Sequence, residues 1–384
     1  MIIGLTGKTS VGKSSFFKAA TMIDVEISDR TFVTIKPNVG IGYVIVDCVC
    51  REFGIKCNAQ NSICKDGKRY VPVKLIDVAG LIPGAHEGKG LGNQFLDELR
   101  QASVFIQIVD CSGLTDAEGK PTQNYDPSFD VEFVQNEIDL WFADVIKRVI
   151  GKIGHVQSRS EMTQLLAEQL SGLEISKKHI DAALEKASIT ETEKFARIIR
   201  KISKPMLVAA NKIDLEAAQE NLEKLKEKFK DLIIIPTSAD YEIALKKAAE
   251  MGIVEYLPGN DFKIIDRTKI TETQLKALEK IKGLIAKYGS TGVQSCLNKA
   301  VFELLGYIVV YPVEDENKLS DKKGNVLPDA YLVPKGTTAL ELAFKIHTDI
   351  GEKFVSAIDA RSKRRLGKDY ELKNNDVIKI MTSR

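Results

Sequence analysis

Residues 7–14 read Gly7-Lys8-Thr9-Ser10-Val11-Gly12-Lys13-Ser14, which fits the pattern G-x-x-x-x-G-K-[ST]. They follow a strand-like apolar run, Ile2-Ile3-Gly4-Leu5-Thr6, and precede Ser15-Phe16-Phe17-Lys18-Ala19-Ala20, which can open a helix. In this setting, backbone N–H groups at a helix N-terminus converge on phosphate oxygens. We therefore expect Lys13 to reach the β- and γ-phosphates of a nucleotide and Ser14 to ligate Mg²⁺. The predicted phosphate contacts are Gly7, Thr9, Ser10, Val11, Gly12, Lys13, Ser14 and Ser15.

A second motif, Asp77-Val78-Ala79-Gly80, follows the apolar run Val73-Lys74-Leu75-Ile76. This order places a carboxylate at the carboxyl end of a strand. From there Asp77 can hold Mg²⁺ through water, while the Gly80 N–H meets the γ-phosphate. The spacing thus predicts a magnesium-bound nucleoside triphosphate, with Lys13 and Gly80 stabilising the transition state of its hydrolysis.

A third motif, Asn211-Lys212-Ile213-Asp214, again follows an apolar strand. The Asp214 carboxylate can accept hydrogen bonds from N1–H and the exocyclic amine of guanine together, and adenine has no such pair of donors. Further along, Ser238-Ala239 follows Leu232-Ile233-Ile234-Ile235 and can supply a backbone donor to the guanine oxygen. The three ordered motifs predict a GTP-binding fold. Its predicted guanine contacts are Asn211, Lys212, Asp214, Ser238 and Ala239.

Strands alternate with helices along the first part of the chain, which favours an α/β, doubly wound parallel sheet. A helical stretch interrupts it, with a 3.6-residue apolar stripe through Trp141 that indicates core packing. Capping boxes are predicted at Thr190, Thr271 and Thr338. The tail combines several strands with one helix, as in a ubiquitin-like roll. The predicted domains are 1–112 and 204–305 for the nucleotide-binding parts, 113–203 for the helical insertion and 306–384 for the tail.

The composition argues against a protein that is basic throughout and against a membrane-spanning protein. The chain has 384 residues and a net charge of +2, so any contact with nucleic acid must come from a local basic patch. No run of about 18 apolar residues is present, and we expect a cytoplasmic protein without a membrane partner.

Four of the six cysteines crowd one short segment, as Cys48, Cys50, Cys57 and Cys64. Cys48 and Cys50 end a strand-like run that would put both on one face. Three interpretations stay open: partly buried free thiols, a tetrahedral Zn²⁺ site, or two disulfides.

The motifs resemble those of the Obg-like GTPases, and most closely the branch containing the Obg-like ATPases (YchF). The resemblance covers the whole chain. Besides the phosphate loop, it rests on Phe32-Val33-Thr34-Ile35-Lys36-Pro37-Asn38-Val39-Gly40 and on the glycine-rich residues 77–92. A helical insertion and a tail similar to a TGS domain, with Leu332-Val333-Pro334-Lys335-Gly336-Thr337-Thr338, complete it.

The resemblance implies roles for Thr34 and His86, and the residue at position 81 bears on the second of them. Thr34 would be the switch threonine that closes on Mg²⁺ when the γ-phosphate is present. Leu81 stands where Ras-like enzymes have the water-orienting glutamine, so we expect slow hydrolysis. His86 is then the candidate for positioning water, because relatives of this branch use a histidine at the matching position.

The resemblance also implies a partner in translation, because TGS domains occur on ribosome- and tRNA-associated proteins. A cluster of five cations in the tail offers a phosphate-binding surface for ribosomal RNA or tRNA. The predicted RNA contacts are Arg361, Lys363, Arg364, Arg365 and Lys368.

The predicted function is therefore a Mg²⁺-dependent GTP/GDP switch with a low rate of GTP hydrolysis that contacts the ribosome or RNA. Two alternatives stay open. Obg-like ATPases carry an altered base-recognition motif that admits ATP, although Asp214 here has the guanine-selecting form. A metal-handling GTPase would use the four clustered cysteines.

Overall fold

The computed structural model describes residues 1–22, 39–78, 100–153 and 158–383. The chain divides into two compact units. The first is formed by Met1–Gly42 with Lys74–Ala300, and the second by Tyr43–Val73 with Val301–Arg384. In the described residues no helix is both long and apolar enough to span a membrane. The predicted domain boundaries stay predictions, but residues 43–73 group with the tail and not with the nucleotide-binding part.

A mainly parallel sheet forms the centre of the first unit, as the alternating pattern predicts. Strand β1 lies between β4 and β5, and the strand order is β2-β4-β1-β5-β6-β7, with β3 antiparallel to β4. The boundary between the units falls within β2 and β4, so β3 and the adjoining parts of these two strands belong to the second unit. The strands are β1 (Ile2–Thr6), β2 (Val39–Asp47), β3 (Ile63–Lys65), β4 (Lys68–Asp77), β5 (Val104–Asp110), β6 (Met206–Asn211) and β7 (Ile234–Pro236).

Helices of the insertion pack against one face of this sheet. Trp141 is 3 % exposed and lies in a core that includes Phe105 of β5 and Phe195, so the prediction that its stripe is core is confirmed. The capping box at Thr190 is wrong: the last insertion helix begins at Thr192, and the Thr190 N–H donates to Ser188 Oγ instead. The first helices are α1 (Lys13–Thr21), α2 (Ser128–Ile153), α3 (Arg159–Leu170), α4 (Lys177–Leu184) and α5 (Thr192–Ser203).

The rest of the first unit is helical apart from a small hairpin. Its helices are α6 (Ala218–Lys228), α7 (Ala239–Glu250), α8 (Glu272–Tyr288) and α9 (Val293–Lys299), and the hairpin pairs β8 (Val254–Tyr256) with β9 (Phe262–Ile264). The predicted capping box at Thr271 is confirmed, since its side chain accepts from the Gln274 N–H and the Gln274 side chain accepts in return.

The second unit contains a five-stranded sheet in the order β11-β10-β14-β12-β13, with β10 and β14 parallel and the other pairs antiparallel. Leu342 of α10 packs against Val310 and Ile378 of this sheet, which gives the β-grasp arrangement expected for the tail. The predicted box at Thr338 is confirmed. The elements are β10 (Tyr307–Val313), β11 (Tyr331–Pro334), α10 (Ala339–Ile346), α11 (Thr348–Glu352), β12 (Phe354–Asp359), β13 (Arg365–Leu366) and β14 (Val377–Thr382).

Candidate nucleotide site

The phosphate loop joins the end of β1 to the start of α1, and its two flanking glycines are required by geometry. Gly7 has φ 150° and Gly12 has φ 88°, both in the region that favours glycine. A Cβ atom on Gly12 would lie 2.4 Å from Asn211 Nδ2, and one on Gly7 would lie 2.5 Å from the Ile108 carbonyl oxygen. Helix α1 begins directly after this turn, at Lys13. The loop is thus shaped by backbone positions that only glycine occupies without a clash.

Asn211, at the end of β6, connects two loops of the site. Its Nδ2 donates to the Val11 carbonyl oxygen at 2.9 Å, and its Oδ1 accepts from the Ala239 N–H at 3.1 Å. Because Asn211 is 3 % exposed, both hydrogen bonds are protected from water. The first motif, the third motif and the Ser238-Ala239 turn are therefore adjacent in the structure.

Lys212 and Asp110 form a second connection. Lys212 has a φ of 61°, and its Nζ donates to the Ser10 carbonyl oxygen at 3.0 Å and to Asp110 Oδ2 at 2.7 Å. Burial works to raise the pKa of Asp110, but hydrogen bonds from Lys212, Ser112 and Thr115 outweigh it and lower the pKa. Sequence reasoning missed Asp110. The sequence feature that could have indicated it is a carboxylate at the carboxyl end of the apolar strand β5.

The predicted magnesium ligands Ser14 and Asp77 come from different motifs and lie side by side. Ser14 Oγ donates to Asp77 Oδ2 at 3.4 Å. A hydroxyl and a carboxylate are hard oxygen donors of the kind that Mg²⁺ prefers, so these residues fit the ion. Thr34, Gly80 and His86, the other predicted site residues of the two switches, lie outside the described residues, and their roles stay predictions.

The turn at Ser238 is held by hydrogen bonds within the protein. The Ser238 N–H donates to the Thr291 carbonyl oxygen at 2.9 Å, and Ser238 Oγ caps α7 by accepting from the Tyr241 N–H. The Ala239 N–H is donated to Asn211, so a bond to a guanine oxygen would have to share or replace that contact. Asp214, half-buried, lies one residue after the buried Ile213.

Lys8, an unspecified position of the motif, has a role that sequence reasoning missed. It is 1 % exposed, and its Nζ lies 2.7 Å from Asp130 Oδ2 at the start of α2. The same ammonium donates to the Thr115 carbonyl oxygen at 2.9 Å and lies 4.1 Å from the centre of the Tyr125 ring. The Thr9 hydroxyl donates to the Glu118 carbonyl oxygen. These contacts anchor the phosphate loop to the segment that leads into the helical insertion.

The cysteine cluster lies in the second unit. The four Sγ atoms are all within 4.8 Å of one another. Strand β2 ends at Asp47, so Cys48 and Cys50 lie in the following turn and not in a strand. Hydrogen bonds from the Cys57 and Cys64 thiols lower the pKa of Cys48 to about 2, and donating to Cys48 raises the pKa of Cys57 to about 12. The four cysteines therefore form one cluster of interacting thiols.

The basic loop, residues 361–368, also lies in the second unit, and its five cations differ in their surroundings. Arg361 makes a two-point ion pair with Glu52 at 2.6 Å, and its contact with RNA stays a prediction. Lys363 donates to the Glu316 carbonyl oxygen, and Arg365 Nε donates to Ser356 Oγ. Arg364 and Lys368 are exposed, and neither forms an ion pair with another described residue.

The fold and the assembled motifs define a nucleotide-binding protein of the P-loop GTPase class with a C-terminal TGS domain. Three family models match the chain: "50S ribosome-binding GTPase" over residues 2–138, "Obg-like GTPase YGR210-like, G4 motif-containing domain" over 209–315, and "TGS domain" over 322–382.

Three known proteins illustrate the similarity. The chain is 54 % identical to an uncharacterized GTP-binding protein (MJ1332) of Methanocaldococcus jannaschii, covering 100 % of this chain and 99 % of the relative. It is 25 % identical to the ribosome-binding ATPase YchF of Buchnera aphidicola over 98 % of each chain. The crystal structure of a GTP-binding protein from Pyrococcus horikoshii matches all of both chains with a TM-score of 0.79 and 39 % identity. The chain belongs to the Obg-like, YchF-related family of GTP-binding proteins.

Proposed function

We propose that this protein binds GTP with Mg²⁺, hydrolyses it slowly and acts as a nucleotide-dependent switch. The observation that carries the proposal is the double hydrogen bond of Asn211, to Val11 and to Ala239. This side chain holds the phosphate loop next to the turn that would surround the base. A bound nucleotide would then meet phosphate-binding and base-selecting groups in one fixed arrangement.

Each end of the nucleotide would meet its own set of groups. Lys13 and the N-terminal N–H groups of α1 would bind the phosphates, while Ser14 and Asp77 would hold Mg²⁺. The ion would neutralise charge on the phosphate oxygens. Asp214 would accept from guanine, and Lys212, fixed by Asp110 and Ser10, would cover one face of the site. The Ala239 N–H would be shared between Asn211 and the guanine oxygen.

Slow turnover follows from the residue at position 81. Leu81 has no group that can orient water, so the water would be positioned by another residue, and His86 is our candidate. Lys13 and backbone N–H groups would still stabilise charge in the transition state.

A second candidate function is ATP hydrolysis, favoured by the name of the Buchnera relative, a ribosome-binding ATPase. Asp214 argues for GTP, because adenine would leave its carboxylate without the paired donors. A metal-handling GTPase is a weaker candidate, since all four clustered cysteines belong to the second unit.

Titration of the purified protein with GTP, GDP, ATP and ADP tests the proposal. We expect GTP and GDP to bind at least about tenfold more tightly than the adenine nucleotides, and GTP to be hydrolysed slowly when Mg²⁺ is present. Fluorescent-nucleotide displacement gives the affinities, and phosphate release gives the rate. Equal affinities for GTP and ATP would support the ATPase alternative, and hydrolysis that is unaffected by EDTA would contradict the role of Mg²⁺.

We further propose that the switch is sensed by the ribosome through RNA. Support comes from the TGS domain, from the relative named as ribosome-binding, and from the exposed Arg364, Arg365 and Lys368 of the basic loop. These cations would contact backbone phosphates with little readout of sequence. The GTP state would bind more tightly, because ordering of the switch segments is the change that a partner can sense.

Salt dependence provides the test of this contact. We expect the association with ribosomes to weaken steeply with salt, and Arg364→Ala/Arg365→Ala to flatten the log–log slope by roughly one to two units, since two phosphate contacts are lost. Sedimentation with ribosomes at several salt concentrations measures this slope. Lys276→Ala/Lys280→Ala, which removes the same charge from exposed positions of α8, should leave the slope unchanged. Absence of association in both nucleotide states at low salt would contradict the proposal.

A further inference from the structure

The cysteine cluster of the second unit has the dimensions of a metal site. A tetrahedral zinc–thiolate centre has Zn–S bonds of about 2.3 Å, which sets its sulfur–sulfur distances at about 3.8 Å. Cys50 Sγ and Cys64 Sγ lie 3.8 Å apart, and all four sulfur atoms lie within 4.8 Å of one another. We propose that Cys48, Cys50, Cys57 and Cys64 together bind one structural Zn²⁺ ion.

Three separate pieces of backbone bring the four sulfur atoms together. Cys48 and Cys50 lie in the turn after β2, which is closed by hydrogen bonds from the Arg51 N–H to the Cys48 carbonyl and from the Ile55 N–H to the Cys50 carbonyl. Cys57 lies in the following irregular segment, and Cys64 lies in β3. The Cys48 N–H donates to the Gly67 carbonyl oxygen at 2.9 Å, which joins the first turn to the β3–β4 hairpin. The local backbone therefore shapes the cluster.

A buried cation accompanies the cluster. Arg69 is opposite Cys64 in the antiparallel pairing of β3 with β4, so their side chains share a face. Its side chain is 0 % exposed and forms no ion pair with a described carboxylate, and neither Nε nor Nη1 has a hydrogen-bond partner. Buried charges require compensation. Four thiolates around Zn²⁺ carry a net charge of −2, so the centre would supply this guanidinium with a nearby opposite charge.

Four sulfur atoms that all lie within 4.8 Å of one another favour a metal over disulfides. A disulfide joins two sulfur atoms at about 2.05 Å and needs no other thiol near the pair. A site with four protein ligands also leaves no open position, which is typical of a structural ion and not of a transported one.

The ion would secure residues 48–64 within the second unit. Next to Cys57, the Asn58 N–H donates to the Val326 carbonyl oxygen at 2.8 Å, and Asn61 exchanges two hydrogen bonds with Ala330. These contacts fasten an irregular segment to the turn that precedes β11. Because the segment has little regular structure, a metal crosslink would supply order that its backbone hydrogen bonds do not.

Metal analysis of the full-length protein, purified without an affinity tag that binds metal, tests the proposal. We expect one zinc per chain by inductively coupled plasma mass spectrometry, with the same content in the GTP- and GDP-bound forms. Replacing Zn²⁺ by Co²⁺ should give the visible absorption bands of a tetrahedral cobalt–thiolate centre. A metal-free protein with all thiols reactive, a denatured mass lowered by two disulfides, or iron in place of zinc would each overturn it.

Cysteine-to-serine variants inside and outside the cluster test where the zinc ion binds. Cys57→Ser and Cys64→Ser should each lose zinc and become more sensitive to protease within residues 48–64, whereas Cys111→Ser and Cys296→Ser, which alter buried cysteines of the first unit, should retain one zinc per chain. If a cluster variant does not fold, titration of the wild-type protein with an organomercurial reagent replaces it. Zinc release in step with thiol modification supports the site, and zinc release without modification of these cysteines overturns it.

Discussion

Replacing Lys13 by alanine is expected to lower the rate of GTP hydrolysis by at least about 100-fold. Loss of a single neutral donor to transition-state charge typically costs 10²- to 10³-fold, and an ammonium that contacts the β- and γ-phosphates contributes more. Lys13 begins α1 directly after Gly12, whose backbone is left-handed, so the position of Lys13 is set by the backbone of the loop. Single-turnover phosphate release with saturating enzyme measures the effect, because saturation separates the chemical step from weakened binding.

Lys18→Ala is the matched control for this variant. Lys18 lies in the last turn of the same helix and is exposed, so its loss removes the same charge without touching the loop. We expect its hydrolysis rate to equal that of the wild type. A Lys13→Ala protein that hydrolyses GTP at the wild-type rate, with normal folding by circular dichroism, would place the phosphates elsewhere in the molecule.

The arrangement of the candidate nucleotide site could be predicted because each of its motifs is a local sequence pattern at the end of a strand. In a parallel sheet the strand carboxyl ends meet at one edge, so motifs that follow three apolar runs must come close together. Asn211 and Val11 illustrate this: they lie far apart in sequence, and their hydrogen bond follows from the neighbouring positions of β1, β5 and β6. The glycine requirement at Gly12 has the same origin, since the Asn211 side chain fills the space that a Cβ would need.

The anchoring of the phosphate loop was not predictable, because it depends on tertiary contacts between unspecified positions. Lys8 occupies a motif position that admits any residue. Asp130 lies in a helix whose apolar stripe predicts only that the helix packs in the core. Neither residue type nor spacing indicates that the two form a buried ion pair.

The capping box assigned to Thr190 failed for a related reason. A four-residue pattern fits several registers, and Glu191 takes the N-cap position instead.

The segment that contains the four clustered cysteines shows that the order of residues along the chain does not always predict the domain to which they belong. Residues 43–73 lie between the phosphate loop and the Asp77 motif, and sequence order alone assigns them to the nucleotide-binding part. The structure groups them with the tail, through contacts such as Asn61 with Ala330. The local sequence does not indicate a contact such as that of Asn61 with Ala330, because asparagine is equally common on the exposed surface of a loop.

Asp214→Asn is expected to weaken GTP binding by about 30- to 150-fold. The carboxylate would lose its role as acceptor for two guanine donors, and a hydrogen bond to a charged group contributes about 2–3 kcal/mol. Asp214 is half-buried after Ile213, whose N–H donates to the Thr237 carbonyl oxygen, so the loop that presents it is fixed against the Ser238 turn. Burial raises the pKa of Tyr241, and the negative charge of Asp214 raises it further. ATP affinity should not change, because adenine offers neither donor.

Xanthosine triphosphate makes this test specific for base recognition. Xanthine has a carbonyl oxygen where guanine has the exocyclic amine, so the amide N–H₂ of an asparagine at position 214 can donate where the aspartate could not. The variant should therefore gain affinity for xanthosine triphosphate while it loses affinity for GTP, a reversal that partial unfolding cannot produce. Asp240→Asn, the same substitution at an exposed position in the first turn of α7, should change neither affinity. Isothermal titration with all three nucleotides decides the matter: a uniform loss of affinity for all of them would show that Asp214 supports the loop without reading the base.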